Sequence, residues 1–420
     1  MLTGAGFISR ILGFFYRIFL SQTIGANGLG LYQLIFPVFS LCMALSSSGM
    51  QTAISRYVAS SKQPTKYLWC GMFLSVTLAG IFALFVYWLA PWIASDILKE
   101  SRTADLLKLV SLALIPSAIH ACFNGYYYGR KNSIPPAICQ IAEQLARVFG
   151  TFIIFFVLQE ENRPLEPIHA VWGLVIGEFA GLLVNLTCYL ILKPNETFAF
   201  DLSKLILPIK VLGIMAIPLT LNHVLMTLSH SLEHILLPQQ LVAFGYSSDE
   251  ALSHFGILTG MALSVIFFPS AITNSLSVLL LPRISETKAR GDICVVLDTI
   301  KGALCCGIAL GSLCTFLFLF SADWFGTYVF GNTLAGFYIR VLSILCPFMY
   351  TSSLLSSIVN GLGYASLTLA CNLTGCGIRI LAIWFLVPTY GMYAYIISMI
   401  VAAVVVTAEL LVVVRRKCIV

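Results

Sequence analysis

Long apolar stretches with very few charges recur along the whole chain. The sequence of 420 residues is 59% hydrophobic and only 10% charged, whereas a soluble domain carries about 25% charged residues. A helix needs roughly 20 mainly apolar residues to cross a bilayer, and twelve stretches reach that length. They cover residues 3–23, 31–57, 67–94, 106–128, 135–158, 168–192, 210–237, 251–281, 299–321, 334–359, 364–387 and 391–414. The sequence therefore predicts an all-α integral membrane protein with about twelve transmembrane helices.

The positive charges are divided unequally between the two sides of this predicted membrane protein. Of the 24 Lys and Arg residues, fifteen fall in the connections of one side and five in those of the other, and four lie inside spans. Because loops rich in Lys and Arg are retained in the cytoplasm, we expect both termini to be cytoplasmic. The net charge of +6 reflects this topology and indicates no nucleic-acid partner.

The two halves of the chain carry a similar pattern. Residues 116–158 contain "FNGYYYG" and then Arg147, and residues 347–387 contain "VNGLGY" and then Arg379. Each half holds six spans, so the two copies share one orientation and would be related by an axis along the membrane normal. We therefore expect two six-helix lobes, residues 1–200 and 201–420, with a binding site where the lobes face each other.

Arginines inside the first span indicate an anion site. Arg10 and Arg17 are seven residues apart, which places them within roughly 20° of each other on one helix face. Ionisable groups at membrane depth are costly and mark functional sites. Two cations on one stripe predict that Arg10 and Arg17 bind an anionic substrate, although Arg10 could instead extend to the cytoplasmic headgroups.

Two further arginines lie within spans and are also predicted to bind substrate. Arg147 follows Glu143 by four residues, an arrangement that favours an ion pair within one helix. Arg379 has no acidic residue at this spacing in its own span, so we expect its partner on another helix. A polar patch of this kind must face protein or water.

Glu178 lies mid-span beside a stripe of small residues. Gly173, Gly177 and Gly181 repeat every fourth residue, and such a stripe lets another helix approach closely. Two interpretations remain open for Glu178 and Glu143: a carboxylate that couples transport to H⁺ or Na⁺, or a buried ion pair with an arginine.

The stretch "SHSLEHILLP" contains His230, Glu233 and His234 in the spacing His-x-x-Glu-His, which occurs in zinc peptidases. A zinc enzyme needs a further ligand and a bound water, and no matching downstream pattern is present, so we predict neither a metal nor another cofactor. His223 and His230 share a helix face with Asn222 nearby, which favours a water-filled cavity. Asn222 is accordingly predicted to bind substrate, and the histidines and Glu233 to line the cavity or take part in coupling.

The same span contains Gly213 and Pro218, in "LGIMAIPLT". Both residue types can interrupt a transmembrane helix and supply a bend. We therefore predict a hinge at these two positions.

Several segments resemble one family. "GFISRILGFFYRIFLSQTIGANGLGLYQLIFPVFSLCMALSSSGMQTAISR" is similar to the first two spans of the stage V sporulation protein B group, in the polysaccharide transporter branch of the multidrug/oligosaccharidyl-lipid/polysaccharide flippase superfamily. "FNGYYYG" resembles the fourth span of that group. "IPLTLNHVLMTLSHSLEHILLPQQL" and "GILTGMALSVIFFPSAITNSLSVLLLPRISE" resemble its seventh and eighth spans.

This resemblance implies a lipid II flippase-like carrier in the bacterial cell membrane. It would move undecaprenyl-pyrophosphate-linked saccharide, a cell-wall or polysaccharide precursor, from the inner to the outer leaflet by alternating access, with a role in spore envelope synthesis as one expectation. The arginines of the first span, Arg10 and Arg17, would hold the pyrophosphate. The expected partners are the lipid-linked saccharide and membrane lipids, and the carrier is expected to be monomeric.

Three other functions are weighed against this interpretation. A cation-coupled multidrug antiporter of the same superfamily would favour acidic groups in its cavity. A membrane glycosyltransferase would need a large outer loop or an acidic metal motif, and the sequence has neither, so the chain is not expected to be an enzyme. A non-transporting membrane scaffold remains open.

Overall fold

The computed structural model describes residues 2–61, 63–192, 206–290 and 292–418, and within these ranges it contains helices and no strands. Short π-helical turns join α3 to α4 and α10 to α11. The helices are α1 (Leu2–Thr23), α2 (Gly25–Leu34), α3 (Phe36–Met43), α4 (Gly49–Ser60), α5 (Pro64–Trp92), α6 (Ala104–Gly129), α7 (Ile134–Glu160), α8 (Pro167–Leu192), α9 (Ile206–Phe244), α10 (Ser248–Gly256), α11 (Leu263–Phe267), α12 (Ser270–Arg290), α13 (Ile293–Trp324), α14 (Thr333–Leu342), α15 (Leu345–Gly361), α16 (Ala365–Phe385), α17 (Val387–Tyr390) and α18 (Met392–Cys418).

Each of the twelve predicted stretches overlaps a helix. Within the described ranges, ten helical segments are long and apolar enough to cross a membrane, or eleven if one bent pair counts as a single span. That pair is α14 and α15, which meet at an angle of 54°. The segment α1 is not among the ten, and it carries Arg10 and Arg17. The predicted class, an all-α multi-pass membrane protein, is confirmed.

Besides the stretch 334–359, which the bend between α14 and α15 divides, two further predicted spans differ from the structure in their limits. The stretch 251–281 is divided, because α11 ends at Phe267 and α12 begins at Ser270. Pro269 lies at this break, and a proline cannot donate the backbone hydrogen bond that would continue the helix. The stretch 31–57 belongs to a longer helical segment, Gly25–Ser60.

The helices form two compact units. The first unit contains Met1–Tyr16 and Leu31–Ser231. Its core packs α4, α5 and α6 around Phe123, Tyr126 and Tyr127, which are nearly fully buried. Gly125 permits a close approach of α6 to α4, since a Cβ there would lie 2.5 Å from the carbonyl oxygen of Gln51.

The second unit contains Arg17–Gly30 and Leu232–Val420. Its core is built from α12, α13, α15, α16 and α18 around side chains such as Ile284, Leu354 and Leu410. The start of α2 packs closely on α10, because Gly30 lies against the carbonyl of Leu252 and Gly256 lies against Gly30.

The limits of the units fall inside three helices. The chain changes from the first unit to the second within α1, between Tyr16 and Arg17, and returns to the first within α2, between Gly30 and Leu31. It changes to the second again within α9, between Ser231 and Leu232. The predicted boundary between lobes, at residues 200 and 201, lies outside the described residues. The boundary between two six-helix lobes therefore stays a prediction. The two compact units are those that the structure itself defines.

Candidate functional site

Three helices of the first unit bring ionisable side chains together, and we call this group the Arg147 cluster: Arg147, Glu143, Glu178 and His120. Nη2 of Arg147 donates to Oε1 of Glu143 at 2.7 Å and to Oε1 of Glu178 at 3.4 Å. The hydroxyl of Ser117, on α6, donates to Oε2 of Glu178 at 2.6 Å. The predicted ion pair within α7 is confirmed, and so is the pairing of Glu178 with an arginine.

The glycine stripe of α8 explains how these groups meet. A Cβ at Gly177 would lie 2.9 Å from the carbonyl oxygen of Glu143 and 3.1 Å from Cβ of Arg147. Gly173 lies equally close to Thr151 of α7. The prediction that the stripe permits close helix packing is confirmed, and the neighbour is the helix that carries Arg147.

His120 is the member of the Arg147 cluster that the sequence did not reveal. One of its ring nitrogens and a carboxylate oxygen of each of Glu143 and Glu178 all lie within 4.8 Å of one another. The Nδ1 atom exposes less than 1 Å² and has no hydrogen-bond partner. A histidine within the apolar span α6 is itself a signal of function, but its spacing from Glu143 points to no shared site.

The second unit holds a different ion pair, which we call the Glu233–Arg379 pair. Nε of Arg379 donates to Oε1 of Glu233 at 2.6 Å, and Nη2 donates to Oε2 at 3.2 Å. The hydroxyl of Tyr395, on α18, also donates to Oε1 of Glu233, at 2.5 Å. The prediction that Arg379 finds its partner on another helix is confirmed, and that partner is the Glu of the His-x-x-Glu-His stretch.

Another residue of the His-x-x-Glu-His stretch, His234, makes a ring contact. The ring of His234 packs edge-on against Phe255, with centroids 5.6 Å apart. Because Arg379 and Tyr395 already donate to both oxygens of Glu233, this carboxylate serves an ion pair here, and the prediction of no metal stays a prediction.

The arginines of the first span lie in different units. Arg10 is exposed and belongs to the first unit, whereas Arg17 is partly buried and belongs to the second. Nη1 of Arg17 donates to the hydroxyl of Ser264, on α11, at 3.3 Å. Arg17 therefore contacts α11 from the second half of α1.

The remaining predicted residues lie on α9. Asn222, His223 and His230 are all exposed, as a cavity lining or a lipid-facing surface would be. The helix runs through Gly213 and Pro218 without interruption, so the expected break is absent. A bend at these residues stays a prediction.

Fold and site together define a class of protein. Ionisable groups inside transmembrane segments mark substrate or ion pathways, and here two groups of them lie in a multi-pass helical chain. These features are typical of a membrane transport protein. The particular family follows from comparison with known proteins.

The chain belongs to the polysaccharide biosynthesis protein family, whose sequence model matches residues 1–288. It is 27% identical over 423 residues to stage V sporulation protein B of Bacillus subtilis (strain 168), covering 97% of this chain and 81% of that protein. It is 30% identical over 202 residues to the lipid II flippase MurJ of the same organism, covering 44% of this chain and 37% of that protein. The solved structure of a lipid II flippase MurJ in an inward closed conformation matches with a TM-score of 0.74, at 16% identity, over all of this chain and 89% of that one.

These matches confirm the predicted membership of the flippase superfamily and its fold. The relatives are named as a sporulation protein and as a flippase. Their names describe no enzyme, in agreement with the prediction that this chain is not one.

Proposed function

We propose that this protein is a flippase that moves undecaprenyl-pyrophosphate-linked saccharide from the inner to the outer leaflet of a bacterial cell membrane. The observation that carries the proposal is the similarity to stage V sporulation protein B over 97% of the chain, supported by the partial similarity to a lipid II flippase. The proposal includes cytoplasmic termini, as the distribution of Lys and Arg favours, and a monomeric carrier.

The chemistry of the substrate explains why arginine is needed. A pyrophosphate with a sugar headgroup cannot cross hydrocarbon unaided, whereas its polyprenyl tail can remain in lipid. Arginine offers permanently charged donors in a planar fork that suits phosphate oxygens. Arg17, which donates to a neutral serine hydroxyl, is the arginine we assign to the pyrophosphate, with Arg10 seven residues before it.

Arg147 and Arg379 are the other two arginines predicted to bind substrate. Each already donates to at least one carboxylate from another helix. Binding of a phosphate by either guanidinium would require exchange of an ion pair, so their predicted role as substrate ligands is the weaker part of the proposal. Asn222, exposed on α9, is retained as a candidate contact to the saccharide.

Transport requires two conformations that differ in their affinity for the substrate. The helices α1, α2 and α9 each contribute to both compact units, so they are the elements that we expect to change shape between these states. Gly213 and Pro218 are the proposed hinge within α9. Nothing within 4 Å would obstruct a Cβ at Gly213, which leaves room for such a bend.

The proposal is tested with Arg17→Ala in cells that lack the chromosomal copy of this protein. Loss of a charge-assisted contact to the pyrophosphate is expected to weaken binding roughly 10- to 100-fold. Complementation should therefore fail and a lipid-linked saccharide should accumulate in the inner leaflet. Arg163→Ala is the matched control, because Arg163 is exposed and pairs with Glu161 outside the spans.

The outcome for Arg10→Ala separates the two interpretations of that residue. If Arg10→Ala reduces complementation as much as Arg17→Ala does, the result supports an anion site shared by both arginines. Full complementation by Arg10→Ala assigns Arg10 to the lipid headgroups. Full complementation by Arg17→Ala at normal membrane abundance would contradict the proposed function. So would drug sensitivity of cells that lack the protein, if they accumulate no lipid-linked saccharide.

A further inference from the structure

The Arg147 cluster carries more negative than positive charge. Glu143 and Glu178 contribute two carboxylates, Arg147 contributes one guanidinium, and a neutral His120 contributes nothing, so the formal sum is −1. A buried charge without a counter-ion is costly in a low-dielectric interior. One monovalent cation bound in the cluster would balance it.

A second and independent observation comes from buried nitrogen atoms that lack partners. Nδ1 of His120 and Nε of Arg147 each expose less than 1 Å² and make no hydrogen bond. A ring nitrogen of His120 lies within 4.8 Å of a carboxylate oxygen of each glutamate, and a neutral imidazole does not offset their charge. A proton on the imidazole, or on one of the two carboxylates, removes the formal excess of negative charge.

Among the residues that the structure describes, the side chains around the cluster supply no further formal charge. The remaining polar groups that face it from the packed helices are neutral at pH 7: Ser117 of α6, Cys139 and Thr151 of α7, Tyr16 of α1, Tyr32 of α2 and Asn185 of α8. The side chains of Glu143 and Arg147 retain 20% and 17% exposure. The cluster is therefore largely buried, with part of Glu143 and Arg147 accessible from outside it.

We infer that His120, Glu143 and Glu178, held in place by Arg147 and Ser117, form a binding site for one proton. Hard metal cations prefer all-oxygen ligand sets, whereas the imidazole nitrogen here takes up a proton readily. The proton comes from water and returns to water, with no other bond made or broken. That this site couples proton flow to transport rests on the proposed function, but the binding of the proton does not.

The test counts protons on the purified full-length protein without substrate. A pH indicator measures the protons released after a jump from neutral to alkaline pH, and infrared difference spectra follow the protonated carboxylic acid. Wild type is expected to release one proton more than Glu178→Gln, which also loses the carboxylic acid band. His120→Gln is expected to shift the midpoint of the titration or to remove the step.

Controls keep the result interpretable. Glu409→Gln changes a carboxylate of α18 that accepts from Thr374 at 2.6 Å, and it should behave as wild type. If Glu178→Gln fails to fold, Glu143→Gln serves as the second variant and should also lose one proton. Equal proton counts for wild type and both variants would overturn the inference.

Sodium provides the remaining arm of the test. A midpoint that shifts saturably with NaCl but not with KCl would assign the site to Na⁺ and overturn the proton assignment. An unchanged midpoint supports it. Because neither measurement involves transport, failure here is distinct from failure of the flippase proposal.

Discussion

The two units of this protein solve the same problem, an arginine buried at membrane depth, in different ways. In the second unit, Arg379 meets a single carboxylate, Glu233, and the hydroxyl of Tyr395 adds a further donor. In the first unit, Arg147 meets two carboxylates, and His120 lies beside them without a hydrogen bond at Nδ1. One group is balanced in formal charge, and the other is not.

A buried charge therefore has different consequences in the two units. A balanced pair with well-placed donors is costly to break but has little reason to change its protonation. A cluster with one carboxylate too many gains from binding a cation. The comparison assigns a structural role to the Glu233–Arg379 pair and a titratable one to the Arg147 cluster.

The largest expected effect compares Glu233→Gln with Glu178→Gln. Glu233→Gln leaves Arg379 buried without its carboxylate, which should lower the free energy of unfolding by roughly 3–5 kcal/mol. Glu178→Gln leaves Arg147 paired with Glu143 and should cost about 1 kcal/mol or less. Thermal unfolding of both variants in one detergent measures the difference, and equal losses would erase the distinction between the two groups.

A smaller effect is expected when one hydroxyl donor is removed from each group. Tyr395→Phe deletes the hydrogen bond to Glu233, a charged acceptor, and should cost about 1.5–3 kcal/mol. Ser117→Ala should cost only about 0.5–1.5 kcal/mol, because a proton in the Arg147 cluster lowers the charge on its acceptor, Glu178. Unfolding in detergent checks the order, and a larger loss for Ser117→Ala would reverse the assignment.

The glycine stripe gives a test of how the Arg147 cluster is positioned. Gly177→Ala places a Cβ against the backbone of Glu143 and should cost about 1–3 kcal/mol through overpacking. Gly80→Ala, in α5, is the control, since nothing lies within 4 Å of a Cβ there. If both variants unfold at the same temperature, close packing of α7 against α8 is not what positions the Arg147 cluster.

The smallest expected effect concerns an exposed ion pair. Arg340 and Asp323 pair at the surface of the second unit, with 46% and 72% of their side chains exposed. Asp323→Asn should cost about 0.2–1 kcal/mol, because solvent screens the pair. A loss as large as that of Glu233→Gln would show that burial does not set the difference between these pairs.

Local patterns were the part of the site that the sequence could reveal. The spacing of four residues predicted the contact of Glu143 with Arg147, and the repeat of Gly173, Gly177 and Gly181 predicted close helix packing. Each of these signals lies within a single helix. There the regular turn and rise per residue determine which side chains share a face.

Contacts between distant helices were beyond this reasoning. Glu233 and Arg379 are 146 residues apart, and no spacing rule relates them, so the sequence could say only that Arg379 needed a partner. His120 was missed for the same reason. Residues 17–30 belong to the second unit, where they make close contacts such as that of Gly30 with Leu252. The apolar periodicity of the sequence does not predict such contacts.

The central claim, that this protein moves a pyrophosphate-linked saccharide with the help of Arg17, is tested most directly in liposomes. The full-length protein is reconstituted with a fluorescent undecaprenyl-pyrophosphate saccharide, and an impermeant quencher reports how much label reaches the outer leaflet. Wild type and Arg163→Ala should exchange the label between leaflets faster than empty liposomes, and Arg17→Ala should not. Exchange by wild type no faster than in empty liposomes, or equal exchange by Arg17→Ala, would contradict the claim.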